Sequence, residues 1–371
     1  MIRVLNVISD TNIGGAGHVL LNYLRHADRS RFETMVALPR GGALAEPVRA
    51  MGVPVREVDG MADRSLAPGA VSELCRVIEE VKPDVVHTHG SLSGRVAARR
   101  KGCKSVYTKH CAFPPGKLLS SPPGKLANRA LDAWLDGGII AMGDAARDVL
   151  VQTGVPEEKI TVLLNGVSPL PMPTPEDRAA ARAAWGLEPE DFVLGILARI
   201  ESYKGHAVLL DAAKELTDQG RRVKVLIAGI GGGEADVRKQ AESLPAGTVI
   251  FAGFIREVER VLWAMDAQVN ASTESEASNL SLLEGMSIGL PAIASDVGGN
   301  PLHIFNGQNG LVVPRGDSRA LAAAAARLMD DPEERERMRQ KALEIYQSRF
   351  TGDIFARNIE NVYLDVLKGA K

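Results

Sequence analysis

The sequence predicts an α/β protein made of two doubly wound domains, each a parallel sheet with helices on both faces. Short β-branched segments alternate with amphipathic segments along the chain, a pattern typical of repeated βα units. The strand segments are almost continuously apolar, as expected for strands that are buried on both faces. The length of 371 residues fits two domains of roughly 150 residues or more better than one.

The first series of βα units covers the N-terminal half. A strand is predicted at residues 3–8, a glycine-rich turn at residues 14–17 and a helix at residues 18–26. Residues 71–81 carry apolar side chains at helical spacing, which predicts a second helix. The other strands predicted in this half are 34–38, 54–58, 84–87, 105–109, 138–141 and 160–164.

A proline-rich segment separates the two halves. Residues 165–177 contain four prolines at near-alternate positions, which exclude a helix or a central strand and predict a linker. The second series has predicted strands at 192–197, 223–228, 249–251, 267–270, 292–294 and 310–313, and its helices are predicted at 319–329, 332–349 and 354–367. We therefore expect domains at residues 1–165 and 166–349, followed by a C-terminal helix within residues 350–371.

The composition excludes several classes of protein. Lys and Arg number 44 and Asp and Glu 46, a net charge of −2, which argues against a nucleic-acid coat that is basic throughout. The low charge and the 45% apolar content argue against disorder. Cys75, Cys103 and Cys111 are odd in number and widely spaced, which fits reduced thiols in a cytoplasmic protein better than a disulfide framework.

The charge is unevenly divided between the halves. Residues 1–165 carry 21 basic and 17 acidic side chains, a net charge of +4, whereas residues 166–371 carry 23 and 29, a net charge of −6. No acidic residue lies between Asp84 and Asp132. This basic stretch suits an anionic ligand or membrane surface, and a solvated helix face with a basic loop is the alternative. Residues 114–126 contain Pro-Pro-Gly-Lys-Leu twice, which favours a surface loop, with a mobile lid as the functional alternative.

A glycine-rich turn connects the first predicted strand to the first helix. Gly14-Gly15-Ala16-Gly17 would expose backbone amides at the positive end of a helix, which favours a bound phosphate. The turn lacks the Gly-x-Gly-x-x-Gly order of dinucleotide-binding proteins, so NAD is disfavoured. The alternative is that the glycines serve the tight turn alone.

Charged residues follow two predicted strands of the second half. Arg199 and Lys204 come after the strand at residues 192–197, and a guanidinium and an ammonium there suit a diphosphate. After the strand at residues 267–270, Glu276 marks the entry to a helix with Ser278 as a capping residue, and Glu284 lies about one and a half to two turns in. The two carboxylates can then accept hydrogen bonds from different hydroxyls of one ligand. A helix-start acid and a solvated glutamate are the alternative.

His87, His89 and His110 end two successive predicted strands. The two-residue spacing places His87 and His89 on one face of their strand. A metal site with His110 and Cys111 is the functional interpretation. Hydrogen bonding alone is favoured over it, because no carboxylate accompanies these residues. The chain also contains no Asp-x-Asp sequence, so a metal-chelated diphosphate is poorly supported.

Nine short motifs run in order through most of the chain. They are Ile13-Gly-Gly-Ala16, Pro83-Asp-Val-Val-His-Thr-His89, Asn165-Gly-Val167, Ala198-Arg-Ile with Lys204-Gly205, Ala228-Gly-Ile-Gly, Glu276-x7-Glu284 continuing to Pro291, Asp296-Val-Gly-Gly299, Asn309-Gly-Leu-Val-Val, and Arg349-Phe-Thr with Val-Tyr363. In this order and spacing they resemble the retaining glycosyltransferases of family 4. That resemblance implies the GT-B fold, in which two Rossmann-like domains have parallel sheets facing across a cleft.

The resemblance implies a role for each candidate residue. Arg199 and Lys204 would hold the diphosphate of a nucleotide sugar, and Glu284 would hold the ribose hydroxyls. Glu276 would contact the transferred sugar, and His110 would lie near its anomeric centre. The other implied donor contacts are Gly14, Gly15, Phe254, Ile255, Ser278, Asn279, Leu280 and Ser281. The acceptor-binding candidates are His89, Arg95 and Lys109.

Two positions depart from the family pattern. Ala277-Ser278-Asn279 stands where the family usually has Gly-Phe-Gly or Gly-Leu-Pro, so the identity of the sugar stays open. Leu302 stands where an acid is often found, so a polar contact in that loop is either missing or supplied elsewhere.

The resemblance also implies a reaction and its partners. A sugar would move from a UDP- or GDP-sugar to an acceptor hydroxyl with retention, in the synthesis of a cell-envelope glycan, a lipopolysaccharide or a glycolipid. The acceptor would be a glycan or a lipid-linked sugar, no metal or other cofactor is expected, and the inner face of the membrane is a further expected partner. No nucleic-acid partner is expected. A GT-B sugar-nucleotide 2-epimerase and a non-catalytic nucleotide-sugar sensor stay open as alternatives.

Overall fold

The computed structural model describes residues 1–369, which form two compact units. Unit 1 consists of Met1–Val167 together with the chain from Gly352 onward, and unit 2 consists of Ser168–Thr351. Within the described residues, no helix combines the length and the apolar character needed to cross a lipid bilayer.

A seven-stranded parallel sheet forms the centre of unit 1. Its strands are β1 (Ile2–Ile8), β2 (Phe32–Pro39), β3 (Val55–Val58), β4 (Val85–His89), β5 (Lys104–Lys109), β6 (Gly137–Met142) and β7 (Ile160–Leu163). They are ordered β3-β2-β1-β4-β5-β6-β7, so the direction of winding reverses between β1 and β4. Parallel α/β sheets bind ligands at the carboxyl ends of the strands near such a reversal.

Helices cover the sheet of unit 1. They are α1 (Gly15–His26), α2 (Ala45–Ala50), α3 (Pro68–Val81), α4 (Leu92–Arg100), α5 (Lys117–Ser120), α6 (Pro122–Leu135) and α7 (Asp144–Gln152). The apolar stripe of α3 packs with the buried face of β1, where Leu5 and Val7 are fully buried. The predicted alternation of strands and helices is confirmed here, with element ends that differ by a few residues.

Residues 117–126 are mostly helical, so the prediction of a surface loop there was wrong. Ser121 Oγ accepts a hydrogen bond from the Gly124 amide at 3.3 Å and caps α6. Pro122 and Pro123 occupy the first turn of that helix, where amide groups have no partner within the helix and proline removes no helical hydrogen bond. The repeated prolines therefore mark a helix start.

A six-stranded parallel sheet forms the centre of unit 2. Its strands are β8 (Phe192–Leu197), β9 (Val223–Ala228), β10 (Val249–Gly253), β11 (Ala267–Asn270), β12 (Ala292–Ser295) and β13 (Gly310–Val313), ordered β10-β9-β8-β11-β12-β13. Its helices are α8 (Pro175–Ala184), α9 (His206–Asp218), α10 (Glu234–Ala241), α11 (Val258–Ala264), α12 (Leu280–Ser287), α13 (Asn300–His303), α14 (Ser318–Asp330) and α15 (Pro332–Arg349).

The linker expected over residues 165–177 is shorter than predicted, because α8 begins inside it. Thr174 Oγ1 accepts from the Asp177 amide at 3.1 Å, and Asp177 accepts from the Thr174 amide at 3.0 Å, which forms a capping box. Pro175 is the first residue of the helix, a position that tolerates proline.

The last helix, α16 (Gly352–Lys368), belongs to unit 1 and packs against α1 and β5. The Tyr363 ring is fully buried and lies edge-on to Tyr23, with the ring centroids 6.1 Å apart. Phe350, placed with this helix in the sequence interpretation, instead stays in unit 2 against His303. Ala370 and Lys371, the end of the expected C-terminal segment, lie outside the described residues.

Candidate active site

A buried ion pair lies at the carboxyl ends of β8 and β11 in unit 2. Lys204 Nζ is 2.6 Å from Glu276 Oε1, and the exposed fractions of the two side chains are 17% and 7%. The same carboxylate oxygen accepts from Ser272 Oγ at 2.5 Å and from Asn270 Nδ2 at 3.4 Å. Glu276 is therefore fixed by three donors, and the structure brings together two residues that are 72 positions apart.

Arg199 is exposed on the same loop as Lys204. Its Nη2 donates to the Tyr203 hydroxyl at 3.0 Å, and Lys204 Nζ lies 5.2 Å from the centre of the Tyr203 ring. Gly205 follows with a φ of +77°, and a Cβ there would be 1.8 Å from the Ala271 carbonyl oxygen. Only glycine fits this approach, so the Lys204-Gly205 pair places Lys204 next to the end of β11.

Gly298 and Gly299 pack closely against the backbone of the Glu276 segment. Gly298 has a φ of +53°, and a Cβ on it would be 1.9 Å from the Glu276 carbonyl oxygen. A Cβ on Gly299 would be 1.8 Å from the Ala277 carbonyl oxygen, and the Gly299 amide donates to the Glu276 carbonyl at 3.0 Å. The glycines after Asp296 thus allow two backbone segments to touch.

The start of α12 differs from the prediction, because Asn279 and not Ser278 is the capping residue. Asn279 Oδ1 accepts from the Leu282 amide at 3.1 Å and from Ser281 Oγ at 2.9 Å. Ser278 Oγ lies 3.0 Å from His303 Nε2. The amides of Leu280 and Ser281 open the helix, and the first amides of a helix have no partner within it.

His303 provides a polar contact that the sequence left open. It immediately follows Leu302, the position that departs from the family pattern, and its buried ring binds Ser278. Burial lowers the pKa of His303 to about 4, so the ring is neutral at physiological pH. A neutral histidine therefore replaces an acid as the polar contact of this loop.

Glu284 is half-buried in α12. Because the helix begins at Leu280, Glu284 lies about one turn in, closer to the helix start than the one and a half to two turns predicted. It is on the helix that Asn279 caps, so the glutamate and the first amides belong to one rigid element.

An apolar ledge, formed by Ile230 and Phe254, lies at the carboxyl ends of β9 and β10. These side chains are 53% and 68% exposed. The Gly229 amide donates to the Gly253 carbonyl at 2.8 Å, which joins the two strand ends. Ile255 is half-buried and packs into the core instead. Exposed apolar side chains next to polar backbone are suited to stacking against a flat ring.

In unit 1, Gly14 and Gly15 start α1 with an open backbone. Gly14 precedes the first turn, both glycines are exposed, and the first turn contains no acidic residue. A Cβ on either glycine would have no atom within 4 Å. Packing therefore does not require glycine here. The Gly14 amide donates to the Asn12 carbonyl at 3.1 Å, so the amides available to an anion are those of the first helical turn from Gly15 onward.

Three histidines form a stacked row at the ends of β4 and β5. The ring centroids of His87 and His89 are 4.3 Å apart, and those of His89 and His110 are 5.2 Å apart. His87 Nδ1 is 2.6 Å from the Tyr363 hydroxyl of α16, and its Nε2 is 2.6 Å from Thr108 Oγ1. The prediction that His87 and His89 share a face is confirmed.

The contacts of the Asn6 side chain determine which ring nitrogens of His89 and His110 carry a proton. Asn6 Nδ2 lies 3.5 Å from the Met35 carbonyl oxygen, which turns its Oδ1 toward His89 Nε2 at 3.4 Å. An amide oxygen only accepts, so His89 Nε2 carries a proton, and His89 Nδ1 accepts from His110 Nε2 at 2.9 Å. His110 Nδ1 is then an acceptor, and no hydrogen-bond partner for it exists among residues 1–369.

Burial keeps these rings neutral. It lowers the pKa of His87 to about 3 and that of His110 to about 4, and it holds the pKa of His89 well below its usual value. In the part of the chain that the structure describes, no group of three His, Cys, Asp or Glu side chains is arranged to hold a metal ion. The rings bind one another and their neighbours instead of converging on a metal.

Arg95 and Lys109 differ in their surroundings. Arg95 Nη2 is 2.7 Å from Asp132 Oδ1 in a buried pair, and its guanidinium carbon is 4.8 Å from the centre of the Tyr107 ring. Lys101 pairs with Glu79. The basic stretch is therefore not one solvated patch, because some of its cations are paired with acids outside it. Lys109, half-buried, ends β5 beside His110.

The sequence matches two family profiles that together cover most of the chain. Residues 13–169 match the profile described as Glycosyltransferase Family 4, and residues 177–344 match Glycosyl transferases group 1. A D-inositol 3-phosphate glycosyltransferase of Frankia alni is 30% identical over 276 residues, which cover 69% of this chain and 68% of that protein. The chain belongs to glycosyltransferase family 4.

Two solved structures share the fold of this family 4 glycosyltransferase. A glycosyltransferase from Rickettsia africae ESF-5 has a TM-score of 0.86, with 18% identity and 99% of each chain covered. Anabaena Alr3699/HepE, in complex with UDP-glucose, has a TM-score of 0.82, with 22% identity and 98% of this chain and 100% of that chain covered. The expected GT-B fold of two Rossmann-like domains is confirmed. The profiles and the relative are those of glycosyltransferases, so neither the 2-epimerase nor the sensor is favoured.

Several residues of these sites were given no role in the sequence interpretation, although the two glycines and Tyr363 stand in its motifs. Asn6 and Tyr363 hold the histidine row, Ser272 and the two glycines after Val297 hold Glu276, and His303 supplies a contact to Ser278. Only the glycine pair carried a local signal, since adjacent glycines after a strand indicate a close backbone approach. The others act through partners distant in sequence.

Proposed function

We propose that this enzyme transfers a sugar from a nucleoside-diphosphate sugar to an acceptor hydroxyl with retention of anomeric configuration. The observation that carries the proposal is the buried Lys204–Glu276 pair with Arg199 on the same loop. Arg199 and Lys204 bind the diphosphate, and Glu276 accepts hydrogen bonds from hydroxyls of the transferred sugar. The Anabaena structure was solved with UDP-glucose, which favours UDP over GDP.

Other groups of unit 2 complete the donor site. Glu284 accepts from the ribose hydroxyls, and the amides of Leu280 and Ser281 donate to the donor at the helix start. The base lies against the ledge of Ile230 and Phe254, which is exposed enough to receive it. Ser278 and Asn279 act indirectly, because their side chains bind His303 and cap α12.

The proposed reaction breaks one bond and forms one. The bond between the anomeric carbon and the diphosphate oxygen breaks, and a bond to the acceptor oxygen forms on the same face of the sugar. The leaving phosphate oxygen takes the proton of the acceptor hydroxyl, so no separate protein base is required. Arg199 and Lys204 stabilise the charge that develops on the diphosphate, and each well-placed donor contributes about 3 kcal/mol to such a transition state. Since these side chains supply positive charge, we propose that catalysis needs no metal.

Unit 1 supplies neutral hydrogen-bonding groups to the same reaction. The unprotonated His110 Nδ1 accepts a hydrogen bond from a hydroxyl near the anomeric centre, and His89 fixes the direction of that bond through His110 Nε2. The Gly15 amide donates to the diphosphate, and Gly14, which has no side chain, leaves room for it. Lys109, next to His110, contacts the acceptor.

A thermal-shift series tests the donor assignment. UDP, GDP, ADP and their sugars are each titrated against the enzyme, because a ligand that binds only the folded state raises the midpoint by mass action. We expect UDP and UDP-sugars to raise it most, and Lys204→Met to abolish the shift. Lys214→Met is the matched control, since Lys214 forms an exposed pair within α9. A panel that gives no shift with any nucleotide contradicts the proposal.

We propose further that the enzyme works at an anionic membrane surface in cell-envelope glycan or glycolipid synthesis. The α5–α6 face, defined by Leu118, Lys125, Leu126, Arg129 and Trp134, combines exposed apolar side chains with cations. Such a face suits the cytoplasmic leaflet, which carries negative charge.

Vesicle co-sedimentation tests the membrane proposal. We expect binding to vesicles with anionic lipid at low salt and release at high salt, because salt screens charges at a membrane surface. Leu126→Asp should weaken the binding, whereas Met172→Asp, at an exposed apolar residue of unit 2, should not. Equal recovery with neutral and anionic vesicles contradicts it.

A further inference from the structure

A cavity of about 410 Å³ in unit 1 is lined by Lys109 and Cys111, the chain neighbours of His110, and takes no part in the proposed donor chemistry. Most of its wall is apolar, with side chains from β5, β6, α6 and α7 and from the segment before α5. The apolar wall includes Tyr107, Phe113, Leu119, Leu131, Ile139 and Leu150. Its volume is within the range of about 300 to 1,000 Å³ that small-molecule sites occupy.

Part of the cavity wall is cationic. Lys109 and Arg95 line the cavity. Asp132 also lines it, but it pairs with both Arg95 and Lys159. Among residues 1–369, Arg95 Nε has no hydrogen-bond partner although it is buried. The charged side chains of the wall therefore sum to an excess of positive charge with an unsatisfied donor, which suits an anionic group of a ligand.

Another part of the cavity wall is apolar and reaches the surface. Phe113, Leu119 and Leu131 line the cavity and are 44%, 48% and 37% exposed. These side chains continue onto the helices that carry the α5–α6 face. An apolar wall that reaches the surface is stabilised when an apolar group displaces the water against it.

We propose that this cavity binds the apolar chain of an amphiphilic acceptor, an alkyl or prenyl phosphate that carries the sugar to be extended. Its phosphate lies at Lys109 and Arg95, and its chain runs past Leu131 to the opening at Phe113 and Leu119. The assignment of the ligand as an acceptor rests on the proposed function, in which Lys109 contacts the acceptor. Binding of the amphiphile itself does not depend on any transfer reaction.

Binding of two alkyl phosphates, both below their micelle concentrations, tests the proposal without a donor. We expect dodecyl phosphate to bind at least about tenfold more tightly than butyl phosphate in calorimetric titrations, because the longer chain buries more apolar surface. Cys111 lines the cavity and is an exposed free thiol, whereas Cys75 and Cys103 are half-buried. Dodecyl phosphate should therefore slow maleimide labelling of Cys111, as followed by mass spectrometry.

Adjacent leucines provide the matched variants. Leu119→Asp should weaken dodecyl phosphate binding about tenfold or more, whereas Leu118→Asp should not, because Leu118 is exposed but does not line the cavity. Leu131→Asn is a second cavity variant in case Leu119→Asp does not fold, as judged by circular dichroism. Equal affinity for both chain lengths, unprotected Cys111, or equal losses at Leu118 and Leu119 overturns the proposal. A failed nucleotide thermal shift would overturn the donor assignment and leave this binding result intact.

Discussion

The two units differ in how they present polar groups to a ligand. Unit 2 uses charge, since Lys204 is held on the buried Glu276 and the neighbouring Arg199 is exposed. Unit 1 uses neutral rings, since burial lowers the pKa of His87 and His110 to about 3 and about 4. The difference fits the proposed function, in which groups of unit 2 stabilise an anionic leaving group and groups of unit 1 direct hydroxyls.

In both units, the net charge of the sequence gives a poor indication of the charged groups at the site. Residues 166–371 carry a net charge of −6, yet they contain the cations proposed to bind diphosphate. Residues 1–165 carry +4, yet Arg95 is paired with Asp132 and Lys101 with Glu79. The net charge of a domain therefore does not reveal which cations lie near the strand ends or how they are paired.

Removing the charge of Lys204 should have the largest effect. Lys204→Met should lower the transfer rate about 10² to 10³-fold, because a donor to the leaving group is lost. It should also lower the free energy of unfolding by about 3 kcal/mol or more, because Glu276 stays buried without its partner. Initial rates and urea unfolding measure the two effects.

A double variant separates the two effects of Lys204. Lys204→Met combined with Glu276→Gln leaves no buried charge, so the free energy of unfolding should recover while the rate stays low. A transfer rate for Lys204→Met within about twofold of wild type would show that the pair is structural only.

Most of the fold could be predicted from the sequence, because the signals for strands and helices are local. The apolar runs predicted β8, β9, β11 and β13 with their exact ends, and the position of Lys204 after a strand indicated a site. The prediction of a surface loop failed at residues 117–126, where Pro122 and Pro123 occupy the first turn of α6. The same residue type stops or starts a helix according to its position, which composition alone does not reveal.

The partners that complete each site were not predictable, because they are distant in sequence. Tyr363 binds His87 across 276 positions, and Arg95 meets Asp132 across 37. One sequence gives no signal for such pairs until the sheet order is known. The site in unit 2 was easier to predict, since Lys204-Gly205 and the two glutamates each form a short motif. The ion pair between Lys204 and Glu276 was not expected.

Two glycines, one from each unit, should respond differently to the same change. Gly299→Ala forces a Cβ to within 1.8 Å of the Ala277 carbonyl oxygen, so the Glu276 segment must move. We expect a loss of about 2 kcal/mol in the free energy of unfolding and a lower transfer rate. Gly14→Ala meets no atom within 4 Å and should change stability by less than about 0.5 kcal/mol. It should weaken nucleotide binding, because the added methyl group takes space next to the proposed diphosphate.

Urea unfolding and nucleotide titration of both variants distinguish the two roles. If Gly14→Ala lost as much stability as Gly299→Ala, the open backbone at the start of α1 would be a packing feature. If Gly14→Ala kept full nucleotide affinity, the space beside Gly14 would lie away from the diphosphate.

The smallest expected effect comes from Asn6, which contacts no ligand and acts through two rings. Asn6→Leu removes the acceptor that holds the proton on His89 Nε2, so His110 is free to place its own proton on Nδ1. We expect kcat to fall about tenfold, the equivalent of one hydrogen bond of about 1.4 kcal/mol, with an unchanged KM for the donor. Long-range proton–nitrogen NMR of the imidazoles should show Nε2 protonated on His110 in the wild type and a mixture in the variant.

The pH dependence of wild-type kcat is the control for the Asn6→Leu experiment. The pKa of His110 in the folded protein, about 4, is below the value of 6.5 for an exposed imidazole, so protonation opposes folding. The contribution of the neutral His110 ring to the free energy of unfolding is therefore complete above about pH 6.5, and it is lost as the pH falls toward 4. Wild-type kcat should therefore show no titration of His110 between pH 6 and 8. A titration of His110 in that range in the wild type, or Nδ1 protonated at pH 7, would contradict the assigned proton positions and the role of Asn6.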